Sequence, residues 1–124
     1  SISDPPFGSR KKNLLTHASM CSFLLANQLI GNLAFVNFFL QPRGPDLTTH
    51  TRVEGFDFVH NLLHMTGDMH PQPFVGGRTV ALFNGEIYNW RELEAAAGGG
   101  APYRSDGESI LPAYRKFGEG FARV

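Results

Sequence analysis

Residues 83–90 read FNGEIYNW, and within them Asn84 and Gly85 offer a carboxamide and an unhindered backbone N–H side by side. The run before them, Thr79-Val80-Ala81-Leu82-Phe83, is apolar, so the pair stands at the end of a strand. Asn-Gly is a hairpin signal, but no second strand follows closely enough to form one. Glu86 opens instead a segment with Ile87, Trp90 and Leu93 at helical spacing. A carboxamide beside a free N–H can hold the oxyanion of a tetrahedral intermediate, and losing one such donor typically costs ~10²–10³ in rate. An oxyanion hole serves a nucleophile. The candidate is Cys21, the single cysteine, also near the start of an apolar run. One cysteine excludes an internal disulfide and any multi-cysteine metal site, and out of context it is more often a small buried hydrophobe.

The elements that must position these groups follow from pattern. A chain of 124 residues, 42% hydrophobic, suffices for one domain. Eleven basic and eleven acidic residues cancel, which leaves no net attraction to nucleic acid or anionic membrane. The longest apolar stretches, such as Phe23-Leu24-Leu25-Ala26, fall far short of the ~20 residues of a membrane-spanning helix. Residues 21–26 read as a buried strand. Residues 32–40 place Leu33, Val36, Phe39 and Leu40 on one helical face, with Pro42 as the stop. A tight loop at 43–46 leads to strands at 48–53 and 56–63 across a Glu54-Gly55 turn, which favours antiparallel pairing. A loop rich in Pro and Gly precedes the strand at 79–83 and a helix from about 86 to 97, ended by Gly98-Gly99-Gly100. Ser105-Asp106 caps a last helix with Glu108 three residues on, and Pro112 should kink it or trim its first turn. The class is α+β.

The matches Met20-Cys21-Ser22-Phe23, Arg43-Gly44-Pro45-Asp46, Gln72-Pro73-Phe74, Phe83-Asn84-Gly85-Glu86-Ile87-Tyr88-Asn89 and Ser105-Asp106-Gly107-Glu108, with Ile110-Leu111 and Tyr114, occur in one order over residues 20–118. In this the chain resembles the class II glutamine amidotransferase domain, most closely that of the asparagine synthetases. The resemblance implies the αββα sandwich of N-terminal nucleophile hydrolases. It also implies that Cys21 attacks the side-chain amide of glutamine with its own α-amino group as base, a group that titrates near ~7.7–8.0 unperturbed. By the same resemblance Asn84 and Gly85 hold the oxyanion. Asp106 pairs with the ligand's α-ammonium, Arg43 lies beside the nucleophile, and Glu86 belongs to the substrate-binding set. No cofactor is expected, and the ammonia would pass to a synthetase site.

Three departures bear on activity. Cys21 follows Met20 and the extension at 1–19, so it has no free amine in this form. Where the family pattern has an arginine for the glutamine carboxylate, this chain has Leu62, which offers no hydrogen bond; Arg52 or Arg78 could substitute from a neighbouring loop. The sequence ends at Val124, where the family continues with further strands, so residues 20–124 are expected to form part of the sandwich with its C-terminal strands missing. Sheet edges and apolar faces would then need a partner chain or a larger assembly. Two readings result: a structural or accessory subunit that keeps the scaffold without the reaction, or a glutaminase released by cleavage before Cys21 that feeds a synthetase partner.

Other residues have plainer readings. On a strand His60 and His64 stand roughly 13 Å apart at ~3.3 Å per residue, so these and His70 read as hydrogen-bonded histidines rather than metal ligands. Phe35, Phe38 and Phe39 suit core or a subunit contact. Asp57 and Asp68 suit turn and surface carboxylates, and Arg10-Lys11-Lys12 a solvated basic run. The Ser, Thr and basic content of residues 1–19 suits the remainder of a plastid or mitochondrial targeting sequence, or an extension with no address in a cytoplasmic protein.

Overall fold

A computed structural model describes residues 20–65, 68–97 and 100–124. The expected extension at 1–19, its basic run and Gly98-Gly99 lie outside the described residues. β2 (Leu47–Val53) and β3 (Phe56–Leu62) form the hairpin that the sequence suggests. Glu54 and Gly55 both take positive φ, 51° and 86°, the twist a two-residue turn needs to match its strands. β1 (Ser22–Ala26) adds antiparallel to the other edge of β3, giving the order β1-β3-β2. β3 is buried on both faces, whereas β1 is not the buried strand its composition suggests. Phe23 and Leu25, on one face of β1, are 43% and 52% exposed. Alternation along β1 sends only Ser22, Leu24 and Ala26 to the covered face.

The helix α1 (Leu33–Phe38) covers that face. Asn32 caps it by accepting from the Phe35 N–H at 2.9 Å, and a 3-10 turn at Gln41–Arg43 carries Pro42 past its end. Its expected apolar stripe is not what it buries: Val36 and Phe39 are exposed, and Asn37 faces the sheet. Asn37 and Asn61 exchange two amide hydrogen bonds, Asn37 Nδ2 donating at 3.0 Å and Asn61 Nδ2 at 2.7 Å. The Thr48 hydroxyl donates to Asn61 Oδ1 at 2.8 Å, and Asn61 Nδ2 also donates to Ser22 Oγ at 3.1 Å. Ser22 in turn donates to the Leu40 carbonyl at 2.8 Å. Helix and sheet are joined by polar groups that satisfy one another, which is the condition for burying them at all.

A second, two-stranded sheet pairs β4 (Phe74–Gly76) with β5 (Thr79–Ala81) across Gly77-Arg78, Gly77 at φ 67°. The sequence shows β4 only as a Pro- and Gly-rich loop, and β5 is shorter than the apolar run at 79–83. Helix α3 (Ile110–Phe117) packs on this hairpin and α2 (Trp90–Ala97) packs on α3. Pro112 trims α3 as expected. It cannot donate to the Glu108 carbonyl, and residues Asp106–Ser109 form a 3-10 turn before the α-helix begins. The mixed helix-and-sheet composition agrees with the α+β class. The apolar core is small, Phe58, Val59, Phe74, Leu111 and Ala113, and polar residues are buried beside it.

Candidate functional site

Gln72 ties the two sheets to the Asn84-Gly85 stretch. Its backbone carbonyl accepts from the Thr49 hydroxyl on β2, while its side chain is buried and clamps Phe83. Gln72 Oε1 accepts from the Phe83 N–H at 2.7 Å and Nε2 donates to the Phe83 carbonyl at 3.0 Å. One amide side chain thus takes both ladder positions that β5 leaves unfilled when it ends at Ala81. Beyond Phe83 the chain does not enter the helix at once. The Ile87 N–H donates to Asp106 Oδ2 at 2.8 Å, and the first helical hydrogen bond of α2 runs from Leu93 to the Asn89 carbonyl. The expected helix at 86–97 therefore starts four residues late, because Asp106 holds residue 87 outside it.

The other wall is built from β3 and the loop before β2. The Asp46 N–H donates to the Leu62 carbonyl at 3.0 Å and Asp46 Oδ2 accepts from the His64 N–H at 2.7 Å, so Asp46 fixes the backbone that leaves β3. Gly44 is buried against that backbone; a Cβ there would overlap the carbonyl oxygen and carbon of Asn61 and come within 2.8 Å of Leu62. Cys21 stands at the head of β1, half-buried. The Leu63 N–H donates to Cys21 Sγ at 3.3 Å, and the thiol is 3.7 Å from the Leu63 carbonyl. These two backbone groups are its hydrogen-bond partners among the described residues.

Between these walls lies a pocket of about 360 Å³. Cys21, Asn84, Gly85, Glu86 and Asp106 line it, five of the six site residues that the sequence suggests, and Leu62 lines it with them. The sixth, Arg43, is exposed at the end of the 3-10 turn and is not part of the wall. Asp106 is held firmly, Oδ1 accepting from the Gly107 N–H at 2.9 Å and Oδ2 from Ile87. Gly107 must be small there, since a Cβ would stand 2.7 Å from the Phe74 ring. The adjoining turn is fixed by Glu108, which accepts from the Ser105 N–H at 3.3 Å and pairs with His70 Nε2 at 3.3 Å. Three carboxylates, Asp68, Glu86 and Asp106, face the pocket; no lysine or arginine does so among the described residues.

The histidines divide. His64 and His70 line the pocket, which their sequence positions alone do not reveal. His60 corrects its expectation as a hydrogen-bonded histidine: it has no exposure at all, and neither ring nitrogen has a partner. It points from β3 to the face opposite the Asn37–Asn61 pair, and burial pulls its pKa below the usual 6.5. Among the described residues no group of histidine, cysteine and carboxylate could hold a metal. Asp57 is not the exposed carboxylate its sequence suggests. It is buried on β3, with His50 Nε2 at 2.8 Å and Arg52 at 3.2 Å. Arg52 thus lies at the far end of the sheet and Arg78 beside Glu54 at 3.7 Å, and neither arginine lines the pocket with Leu62. Gln72, whose motif was legible, is the positioning residue that the sequence left without a role.

No helix among the described residues is long and apolar enough to cross a membrane. Against known protein families, the chain matches one described as a glutamine amidotransferase domain, over residues 10–123. No curated protein and no solved structure matches it.

Proposed function

The chain belongs to the glutamine amidotransferase domain family, and we propose that in this form it keeps that scaffold without its turnover, as a ligand-holding or structural subunit of a larger assembly. Within the family we read it as asparagine-synthetase-like and of the N-terminal nucleophile type. The FNGEIYN stretch supports this, as does a helix tied to each of two antiparallel sheets, α1 through Asn37–Asn61 and α3 by packing on β4 and β5. One observation carries the loss of turnover. The Cys21 nitrogen is in peptide linkage to Met20, and among the described residues Sγ has hydrogen bonds only with the backbone of Leu63, so none of them stands at the thiol as a base. A thiol that cannot pass on its proton does not open an amide. Leu62 in the wall adds to this, because the carboxylate of glutamine would meet an alkyl group where a charged donor is needed. The exposed phenylalanines of α1 support a role within an assembly.

A second reading is favoured by the shared pocket of Cys21, Asn84, Gly85 and Asp106 and by Met20, which is 43% exposed. Cleavage between Met20 and Cys21 would create the missing amine. The thiolate would then add to the amide carbon, Asn84 and Gly85 would hold the oxyanion, ammonia would leave, and water would release glutamate from the thioester. Glutamate release from glutamine separates the two readings. The chain with Met20 in place is expected to match a Cys21→Ala control. Release above that control refutes the silent reading, and release only from a chain beginning at Cys21 establishes the second.

A further inference from the structure

We infer that the pocket selects a primary amide that bears an α-ammonium and no free carboxylate, as a glutamine does once its carboxyl group is bound in an amide; this rests on the amidotransferase-like reading of the pocket. Free glutamine brings three polar groups, a side-chain amide, an ammonium and a carboxylate, and the wall provides for two of them. Asn84 and the Gly85 N–H suit the amide. Asp106 suits the ammonium. Its two oxygens each accept one backbone N–H, from Gly107 and Ile87, and a carboxylate has about four acceptor sites, so each oxygen is held in place with capacity to spare.

The third group finds no fixed cation. Asp68, Glu86 and Asp106 give the pocket a negative field, and no lysine or arginine among the described lining residues offsets it. His70 is committed to Glu108 at 3.3 Å, and His64 is exposed to solvent. The Ser105 hydroxyl is a single neutral donor, and Leu62 presents an alkyl surface. A ligand carboxylate here would be desolvated beside like charges with no lysine or arginine to meet it, which is costly. Conversion of that carboxylate to an amide removes the repulsion and supplies an N–H donor for a wall rich in acceptors. The bias is local, because the chain as a whole has zero formal charge. Leu62 is thereby a specificity-determining residue.

The test is calorimetric titration of the full chain with L-glutamine, L-glutaminamide, N-acetyl-L-glutamine and L-norleucinamide. Glutaminamide is expected to bind at least ~10-fold tighter than glutamine, the effect of about one charge-assisted contact. N-acetyl-glutamine, with a carboxylate and no ammonium, is expected to be weakest. Norleucinamide, which keeps the charge and lacks the side-chain amide, is expected to fall well below glutaminamide. Leu62→Arg should reverse the order in favour of glutamine, and Asp106→Asn should weaken glutaminamide ~10-fold. The order on the unsubstituted chain decides the matter even where a variant fails to fold. Glutamine binding as tightly as glutaminamide, norleucinamide matching glutaminamide, or no binding by any of the four overturns the inference and leaves the question of turnover where it stood. Glutamate release by the intact chain, by contrast, refutes the silent reading and leaves this order intact.

Discussion

Replacing Gln72 with methionine isolates the clamp that holds the Asn84-Gly85 stretch. Methionine matches glutamine in length and lack of branching, so it fills the same buried slot without opening a cavity. What it removes is a pair of hydrogen bonds, 2.7 Å from the Phe83 N–H and 3.0 Å to the Phe83 carbonyl. Both backbone groups lose their partner at a half-buried position. An unsatisfied buried donor or acceptor costs about 1–3 kcal/mol, and Phe83 retains some access to water, so the pair is expected to cost ~2–4 kcal/mol. Domains of this size hold only about 5–15 kcal/mol in all, so the loss would be plain in a urea titration as a lowered midpoint at unchanged slope. Amide exchange should add a local signature, with Phe83 losing protection while β3 keeps its own. A change below ~0.5 kcal/mol would mean that Gln72 is not what secures this stretch, and the account of how the site is positioned would fail with it.

Three further outcomes are expected. Gly44→Ala should destabilise by ~1–3 kcal/mol, since the new Cβ overlaps the Asn61 backbone and both neighbours of β3 oppose a shift; a urea midpoint equal to wild type would contradict this. Because the folded-state pKa of His60 lies below its unfolded 6.5, the unfolded chain binds the proton more readily, and stability should fall as pH drops below ~6.5 until the folded pKa is passed; His60→Leu should flatten that limb between pH 5 and 7 in thermal melts. Phe38→Gln should leave thermal stability within ~0.5 kcal/mol, as the ring is 65% exposed, yet reduce concentration-dependent association seen by sedimentation; no change in association would remove the α1 aromatics as a contact surface.

How much of this was legible in the sequence depends on the range of the interactions concerned. The 54–55 hairpin, the return of Glu108 to the Ser105 N–H and the effect of Pro112 are local, decided by residues within one turn of each other, and they read correctly. The convergence of Cys21, Asn84, Gly85, Glu86 and Asp106 on one pocket is not local; it was legible only as an ordered set of motifs. The packed face of α1 was misread because period-3.6 counting assumes that a helix docks by its apolar residues, and this one docks by Asn37. β4 was missed because three residues among prolines and glycines carry no alternation to count. The late start of α2 depended on a contact from Asp106, nineteen residues away, that no local pattern could report. Arg43, read from its motif alone, stands outside the wall.

The exchange of hydrogen bonds between Asn37 and Asn61 has a consequence for how the sequence can drift. The dependence is one-sided: among the described residues the Asn37 amide is satisfied by Asn61, whereas Asn61 is also held by Thr48 and Ser22. A change at position 61 alone strands the buried Asn37 amide, while a change at position 37 leaves Asn61 with two partners, and exchanging both for apolar residues of similar shape can be nearly neutral. Position 61 therefore constrains position 37 more than the reverse, and a lineage that loses Asn61 is under pressure to lose Asn37. Epistasis of this kind leaves a directional signature: relatives without Asn61 should lack Asn37 too, and relatives that keep Asn61 without Asn37 should keep Ser22 and Thr48.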